Sequence, residues 1–325
     1  GTAATALTVK GSGPLTVFEA GVALSTDGVD RLAGTITLTG SEAEALNFGV
    51  DLAGDLAPLF LPDYAKFFGD RIALTAQGTR WPDGRLDLAD LSLTAQAIQL
   101  NGNLALGADG LPKRFELTGQ IADPAGAPVL LPLASDVQTR LDRADLALRF
   151  DSSRGEGWSA AIGVYGLDRA DFRAAQIGLK GSGRIARVAG APVVGGTFTF
   201  SALGLQPTDA DLARALGPSL NGQASLRWRQ GDGSLTVQQL QLTGEDFGLN
   251  VAGKIAGLND ALKIIGTARV SADDLSRFAG VVGQPIGGVG VISITGEGSP
   301  LTGAFDLGVD VQGSDLRMGM AQVDQ

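Results

Sequence analysis

The sequence has no histidine and no cysteine among its 325 residues. Without imidazole it lacks the commonest general base and metal ligand, and it cannot form a Ser-His-Asp or Cys-His arrangement. Without thiols it forms no disulfide and no thiolate nucleophile. We therefore expect no enzyme, no catalytic residue, no cofactor and no metal site. The missing thiols are compatible with an oxidising compartment, and they do not exclude the cytoplasm.

Aromatic residues and long apolar runs are also scarce. Two Tyr and three Trp are too few for the aromatic girdles of a porin-like barrel, and no run of about 18 apolar residues spans a bilayer. The formal net charge is −10, with both signs mixed along the chain, which argues against nucleic acid or an anionic membrane surface as a partner. A lipid partner would have to be held by its acyl chains. Because the residues that follow Gly1 form neither the basic nor the apolar part of a signal peptide, we expect a segment from inside a longer chain.

Period-two alternation of apolar and polar residues is abundant and predicts an all-β fold. Five clear examples are 35–39, 86–88, 146–150, 197–200 and 235–237. Dipeptides that suit tight hairpin turns lie between such runs. These candidates are Asp27-Gly28, Asp83-Gly84, Asn101-Gly102, Asp109-Gly110, Asn221-Gly222 and Asp232-Gly233.

One stretch of the chain occurs twice, near 63–102 and near 211–253. Trp81, Leu88 and Leu93 of the first copy correspond to Trp228, Val237 and Leu242 of the second. Repeat proteins grow by stacking similar units. The sequence therefore predicts one continuous repetitive β segment over 1–325.

The apolar register slips once within each copy. It moves from Leu86 and Leu88 to Leu91 and Leu93, and in the second copy from Leu235 and Val237 to Leu240 and Leu242. A bulge or tight turn at the slip would keep all eight residues on one face of the sheet.

Three short segments break the strand pattern, at 63–69, 211–217 and 274–280. Each begins with Asp, has a basic residue three positions later and ends with Gly, which indicates one or two helical turns. We interpret them as plugs or corners of the sheet, with Phe67, Phe68 and Phe278 as packing anchors. The Pro-rich stretch 123–132 is the best linker candidate, and its apolar content predicts that it packs on the sheet.

Several phrases resemble the TamB family, the inner-membrane-anchored subunit of the translocation and assembly module, within the AsmA-like bridge-like lipid-transfer proteins of the Gram-negative envelope. They lie at 11–15 followed by 27–34, at 228–253 and at 274–280. The resemblance implies a periplasmic, elongated antiparallel sheet curled into an apolar groove, a β-taco-like architecture with a few short helices. It also implies transport of phospholipid between inner and outer membrane and support of outer-membrane protein assembly. A TamA-like barrel of the outer membrane would be met by parts outside this segment.

An open sheet of many strands curls, and a curled sheet with one apolar face forms a groove. We predict that acyl chains lie along this groove. The predicted lining residues are Leu86, Leu88, Leu91, Leu93, Leu235, Val237, Leu240, Leu242, Val289, Val291 and Ile294. The same pattern is typical of an ordinary closed β core, and Trp81 and Trp228 could each cover a turn or mark a headgroup edge.

Two other functions stay open at this point. An exported β-solenoid adhesin would have a dry, closed core, and a β-helical polysaccharide-active enzyme would use a groove acid such as Asp87. The string Gly181 to Ala186 matches a dinucleotide fingerprint by letters only, because no helical pattern follows it. The acidic pairs Asp209 with Asp211 and Asp273 with Asp274 lie where helix caps are expected.

Overall fold

The computed structural model describes residues 4–14, 16–41, 43–59, 62–133, 137–188, 190–231, 233–257, 262–299, 301–318 and 321–323. The protein is mostly β, with 69 % of residues in strands and 8 % helical, so the all-β prediction is confirmed. The longest helix in the described part has seven residues. No helix there is long and apolar enough to cross a membrane.

The elements follow one another along the chain as strands broken by short helices. The strands are β1 Thr5–Ser12, β2 Val17–Thr26, β3 Val29–Ser41, β4 Ala45–Gly54, β5 Ile72–Arg80, β6 Leu86–Thr94, β7 Ile98–Leu106, β8 Pro112–Ala122, β9 Val129–Leu130, β10 Thr139–Leu141, β11 Arg143–Asp151, β12 Gly157–Arg169, β13 Phe172–Val188, β14 Ala191–Leu203, β15 Gln206–Pro207, β16 Ser219–Arg229, β17 Ser234–Thr243, β18 Phe247–Ala256, β19 Lys263–Ala272, β20 Ile286–Ser299, β21 Ala304–Met318 and β22 Ala321–Val323. The α-helices are α1 Ala65–Phe68, α2 Ala210–Leu216 and α3 Ala279–Val282, and 3₁₀ turns lie at Ala57–Leu59, Pro62–Tyr64 and Leu275–Phe278.

The chain forms two compact units. Unit 1 contains Gly1–Gly155 and Ala160–Gly166, and unit 2 contains Glu156–Ser159 and Leu167–Gln325. The division therefore falls within β12 and not at the predicted Pro-rich linker. That stretch instead packs on unit 1, as its apolar content predicted, because Val129 is buried against the sheet.

Each unit contains one antiparallel ladder. In unit 1 the strands pair in the order β1, β2, β3, β4, β5, β6, β7, β8, β11, and β9 pairs with β10. In unit 2 the order is β13, β14, β16, β17, β18, β19, β20, β21, β22, with β15 added to β13. Among these described pairings neither ladder closes on itself.

The predicted duplication is visible as two equal runs of elements. α1, β5, β6 and β7 correspond to α2, β16, β17 and β18. The pairing register shifts between Leu88 and Leu91 in the first run and between Val237 and Leu240 in the second. The predicted bulge is thus confirmed in both copies, and it places the two halves of each strand's apolar pattern on one face.

Three of the predicted hairpin dipeptides lie in turns. Asp27-Gly28 forms the turn between β2 and β3, where both residues have positive φ (49° and 78°), and Asp83-Gly84 and Asp109-Gly110 also lie in turns. Asp232 lies outside the described residues.

Two of the hairpin predictions are wrong, since Asn101-Gly102 is inside β7 and Asn221-Gly222 is inside β16. At Gly222 a Cβ would collide with the ring of Phe200 on the neighbouring strand, and at Gly102 it would collide with the backbone of β8. These glycines are needed for close packing of strands and not for a turn.

The glycines also show which way the sheet curves. On the face that carries Leu88 and Leu240, a Cβ at Gly78 or Gly253 would lie 2.5 or 2.6 Å from a carbonyl oxygen of the next strand. On the opposite face a Cβ at Gly21 or Gly195 would lie 3.9 or 3.7 Å from the corresponding oxygen. Neighbouring strands therefore fold toward the first face, which is locally concave in both units, in agreement with the predicted curling.

The short helices cover one end of this concave face. In unit 1, Phe67 of α1 packs with Ala97, Val129 and Leu141 in a buried cluster. In unit 2, Leu275 of the 3₁₀ turn is 2 % exposed. The interpretation as plugs at the sheet's end, with Phe67 as an anchor, fits this arrangement.

The C-terminal ends of the helices match the predicted glycines in two cases of three. Gly69 and Gly217 end α1 and α2 with positive φ, whereas Gly280 lies inside α3 and Gly283 ends it. Asp209 caps α2 by accepting a hydrogen bond from the Leu212 N–H at 2.8 Å.

Substitution Gly222→Ala should lower the free energy of unfolding by about 1–3 kcal/mol, because the added methyl group must displace Phe200. In the double variant with Phe200→Ala part of this loss should return. Gly195→Ala is the matched control on the other face of the sheet, where the nearest backbone oxygen is 3.7 Å away. Urea titration measures all four proteins, and equal losses for the two glycines would contradict the proposed packing.

Candidate functional site

Strand register sorts the side chains of each ladder into two faces, because successive residues of a strand point to opposite sides. We call the side that carries Leu88 in unit 1 and Leu240 in unit 2 the apolar face, and the other side the polar face. On the apolar face of unit 1, for example, Leu38, Phe48 and Gly78 lie side by side. On the apolar face of unit 2, Leu240 lies between Ala224 and Val251.

The predicted lining residues of unit 1 share this apolar face. Leu86 and Leu88 lie opposite Leu106 and Leu104 of β7, and beyond the bulge the pairing continues on the same side. All four leucines of β6 are half-buried. These residues are Leu86, Leu88, Leu91 and Leu93.

The predicted residues of β17 behave in the same way in unit 2. Leu235 and Leu242 lie opposite Ile255 and Leu249 of β18, on one side of the ladder. The four residues are half-buried, like their counterparts in β6. They are Leu235, Val237, Leu240 and Leu242.

The three residues predicted from β20 do not share a face. Ile294 lies opposite Ala268, on the apolar face, whereas Val291 lies opposite Ser271, on the polar face. Val289 is two residues from Val291 and points to the polar side with it. The grouping of the valines with Ile294 is therefore wrong. The residue that the pattern missed is Ile292, which alternation counted from Ile294 would have found.

The apolar face is not sealed by a second layer of side chains in the described part of the chain. Only 15 apolar residues there are buried, and several of them cluster under the short helices. On β21 the apolar-face residues Phe305, Leu307 and Val309 are 58 %, 56 % and 62 % exposed. Exposed apolar side chains grouped on one face are typical of surfaces that bind another apolar surface.

An open depression of about 360 Å³ lies on the apolar face of unit 2, across β17 to β21. Its lining is almost wholly apolar and includes Val251, Ile255, Ile264 and Ile294.

The polar face carries hydroxyl, amide and charged groups. Thr37, Asn47 and Gln77 line a second depression of about 540 Å³ in unit 1. Asp87, the acid considered for an enzyme, accepts a hydrogen bond from Arg114 at 3.0 Å on this face. No group of three or more acidic, His or Cys residues able to hold a metal ion occurs among the described residues.

Lowered carboxyl pKa values mark turns and surface ion pairs. The Ser276 hydroxyl and then its backbone N–H, both donating to Asp274, hold the pKa of that carboxyl below its ordinary value. A hydrogen bond from Arg169 lowers the pKa of Asp171. Both carboxyls have local structural partners, and Asp274 begins the 3₁₀ turn at Leu275, as the capping prediction required.

The glycine-rich string and the two tryptophans singled out in the sequence occupy structural positions. Gly181 to Ala186 lie within β13, so no helix follows the glycines as a dinucleotide site requires. The Arg85 guanidinium lies 4.9 Å from the centre of the Trp81 ring beside the Asp83-Gly84 turn, so Trp81 covers a turn. Trp228 lies on the apolar face opposite Leu235.

Comparison with known proteins gave no match. No protein-family model, no curated protein and no solved structure is significantly similar to the chain.

Proposed function

We propose that this chain is a segment of a TamB-like conduit along which phospholipids move across the periplasm with their acyl chains on the apolar face. In this proposal the headgroups remain in water, and the polar face is turned away from the lipid. Assembly of outer-membrane proteins would be supported by the lipid supply and by parts of the protein outside this segment.

One observation carries the proposal, the concave and unsealed apolar face of each ladder. Leu88 in unit 1 and Leu240 in unit 2 both lie on this face and are half-buried. A closed core would bury such leucines completely. Half-exposed leucines on a concave sheet instead present hydrocarbon to whatever lies in the groove.

The energetics favour such a path. Moving a lipid tail of about 16 methylenes through water costs roughly 13 kcal/mol at about 0.8 kcal/mol per CH₂. A continuous apolar face removes most of this cost at each step. It therefore lowers the barrier to crossing.

Photo-crosslinking tests where lipid lies. A benzophenone amino acid placed at position 88 or 240 should form a covalent adduct with phospholipid when the protein is purified from membranes, and mass spectrometry should detect the adduct. The same probe at position 291 is the control, because Val291 lies on the polar face.

Equal crosslinking at 240 and 291 would contradict a face-specific lipid path. A protein that carries no lipid at any position would instead favour a structural role, such as an exported adhesin.

A further inference from the structure

The central strands of unit 2 differ in charge from the chain as a whole. The chain has a formal net charge of −10, yet β13, β14, β16, β17, β18 and β19 contain no Asp and no Glu. Their basic residues at polar-face positions include Arg184, Arg227, Arg229 and Arg269. An anion that approaches the polar face here therefore meets cations and no carboxylate on these strands.

Two of these arginines flank a glycine on the polar face. Gly195 of β14 lies opposite Arg184 of β13 on one side and opposite Arg227 of β16 on the other. The two arginines are two strand spacings apart, or about 10 Å between backbones. A Cβ on Gly195 would have no atom beyond its chain neighbours nearer than 3.7 Å, so the space above this glycine is open. We call the gap between Arg184 and Arg227 over Gly195 the arginine cleft.

Hydroxyl groups lie beside the arginine cleft. Ser182, Thr197 and Ser225 form the next polar-face row, two residues along from Arg184, Gly195 and Arg227. The Thr197 and Ser225 hydroxyl oxygens are 3.3 Å apart. One hydroxyl of this pair donates to the other, which leaves the second proton free to donate to a ligand. Guanidinium and hydroxyl donors together suit the oxygens of a phosphate group.

The arginines of the cleft have no competing acidic partner. Arg184, Arg227 and the neighbouring Arg229 form no hydrogen bond or ion pair with any residue that the structure describes. Exposed arginines elsewhere on the polar face are paired, as Arg149 is with Glu116 at 2.6 Å. The donors of the cleft arginines are thus free, and the repulsion between neighbouring cations is relieved when an anion lies between them.

We propose that the arginine cleft binds the phosphate group of a small dissolved molecule, with the guanidiniums of Arg184 and Arg227 holding it from two sides. A guanidinium donates two parallel hydrogen bonds to a phosphate, and the neighbouring hydroxyls supply neutral donors. The ligand is a dissolved phosphate or phosphate monoester and not a membrane, because the net charge of −10 repels an extended anionic surface. The cleft lies on the polar face, so this inference does not rest on the proposed lipid path.

Calorimetric titration of the whole chain with inorganic phosphate, at constant ionic strength, tests the cleft. Arg184→Gln and Arg227→Gln should each weaken phosphate binding by about tenfold or more, because each removes a charged pair of donors. Gly195→Asp places a carboxylate between the guanidiniums and should abolish binding. Arg269→Gln is the matched control and should leave binding unchanged, since it removes the same charge from an exposed polar-face position three strands from β16.

The outcomes decide between a site and a general effect of charge. The Arg→Gln variants change exposed side chains and should melt at the temperature of the unaltered chain. Absence of phosphate binding to the unaltered chain would overturn the proposal, and so would equal weakening by Arg269→Gln. Cosedimentation with phosphatidylglycerol vesicles that Arg184→Gln and Arg227→Gln abolish would overturn the assignment to a dissolved phosphate and point to lipid headgroups.

Discussion

Replacing Leu240 with Arg should reduce phospholipid transfer by at least about tenfold while the protein stays folded. Leu240 lies between Ala224 and Val251 on the apolar face, so the guanidinium would stand in the path of the acyl chains. An acyl tail that passes a charge must displace its hydration water, which costs several kcal/mol in an apolar setting, and about 1.4 kcal/mol is already a factor of ten. Transfer between donor and acceptor vesicles measures the effect, and Leu88→Arg should act in the same way in unit 1.

The matched control is the next residue of the same strand. Gln241 is exposed and lies opposite Gln223 on the polar face, so Gln241→Arg adds the same charge one position away and should leave transfer unchanged. Because Leu240 is only half-buried, the long side chain can reach water and most of the stability should remain. Equal inhibition by the two variants would show that net charge, and not the apolar path, governs transfer.

The bulge at Leu88 and Leu91 shows what local sequence can predict. Strand periodicity is strictly two, so a slip of the apolar pattern leaves few choices, and its recurrence at Val237 and Leu240 made an accident improbable. The helical segments were also predictable from local sequence, because an Asp cap and a terminal Gly act within one segment, although Gly280 lies inside α3 and does not end it. The role of the apolar face as a lipid path stays a prediction.

The errors have two different origins, one in contacts between strands and one in counting along a single strand. Asn221-Gly222 has the letters of a hairpin turn, yet its glycine makes room for Phe200 on β14. Val291 and Ile294 were grouped as apolar neighbours, although they are three positions apart and therefore point to opposite faces of the sheet. The contact at Gly222 is visible only when the partner strand and its register are known, whereas counting along the strand from Ile294 would have avoided the error at Val291.

Replacing Phe67 with Ala should destabilise unit 1 by about 3–5 kcal/mol, the usual cost of removing a buried phenylalanine. Phe67 is 7 % exposed and packs with Ala97, Val129 and Leu141. Its backbone carbonyl accepts a hydrogen bond from the Ala97 N–H at 3.1 Å, so α1, the β6–β7 turn and the β9–β10 hairpin meet at this residue. Loss of the ring should loosen all three together. Calorimetry measures the lowered midpoint, and hydrogen exchange locates the loosened segments.

The neighbouring ring supplies the control. Phe68 lies at the edge of the same cluster and is half-buried. Phe68→Ala therefore removes the same atoms from a more solvent-exposed position, and the loss in free energy of unfolding should be about half as large. In both variants the middle strands of unit 1, such as β3 and β4, should keep their protection, because the helix covers only one end of the apolar face. Uniform loss of protection across the ladder would instead mean that the plug holds the whole sheet together, and the apolar face of unit 1 would then depend on α1 for its form.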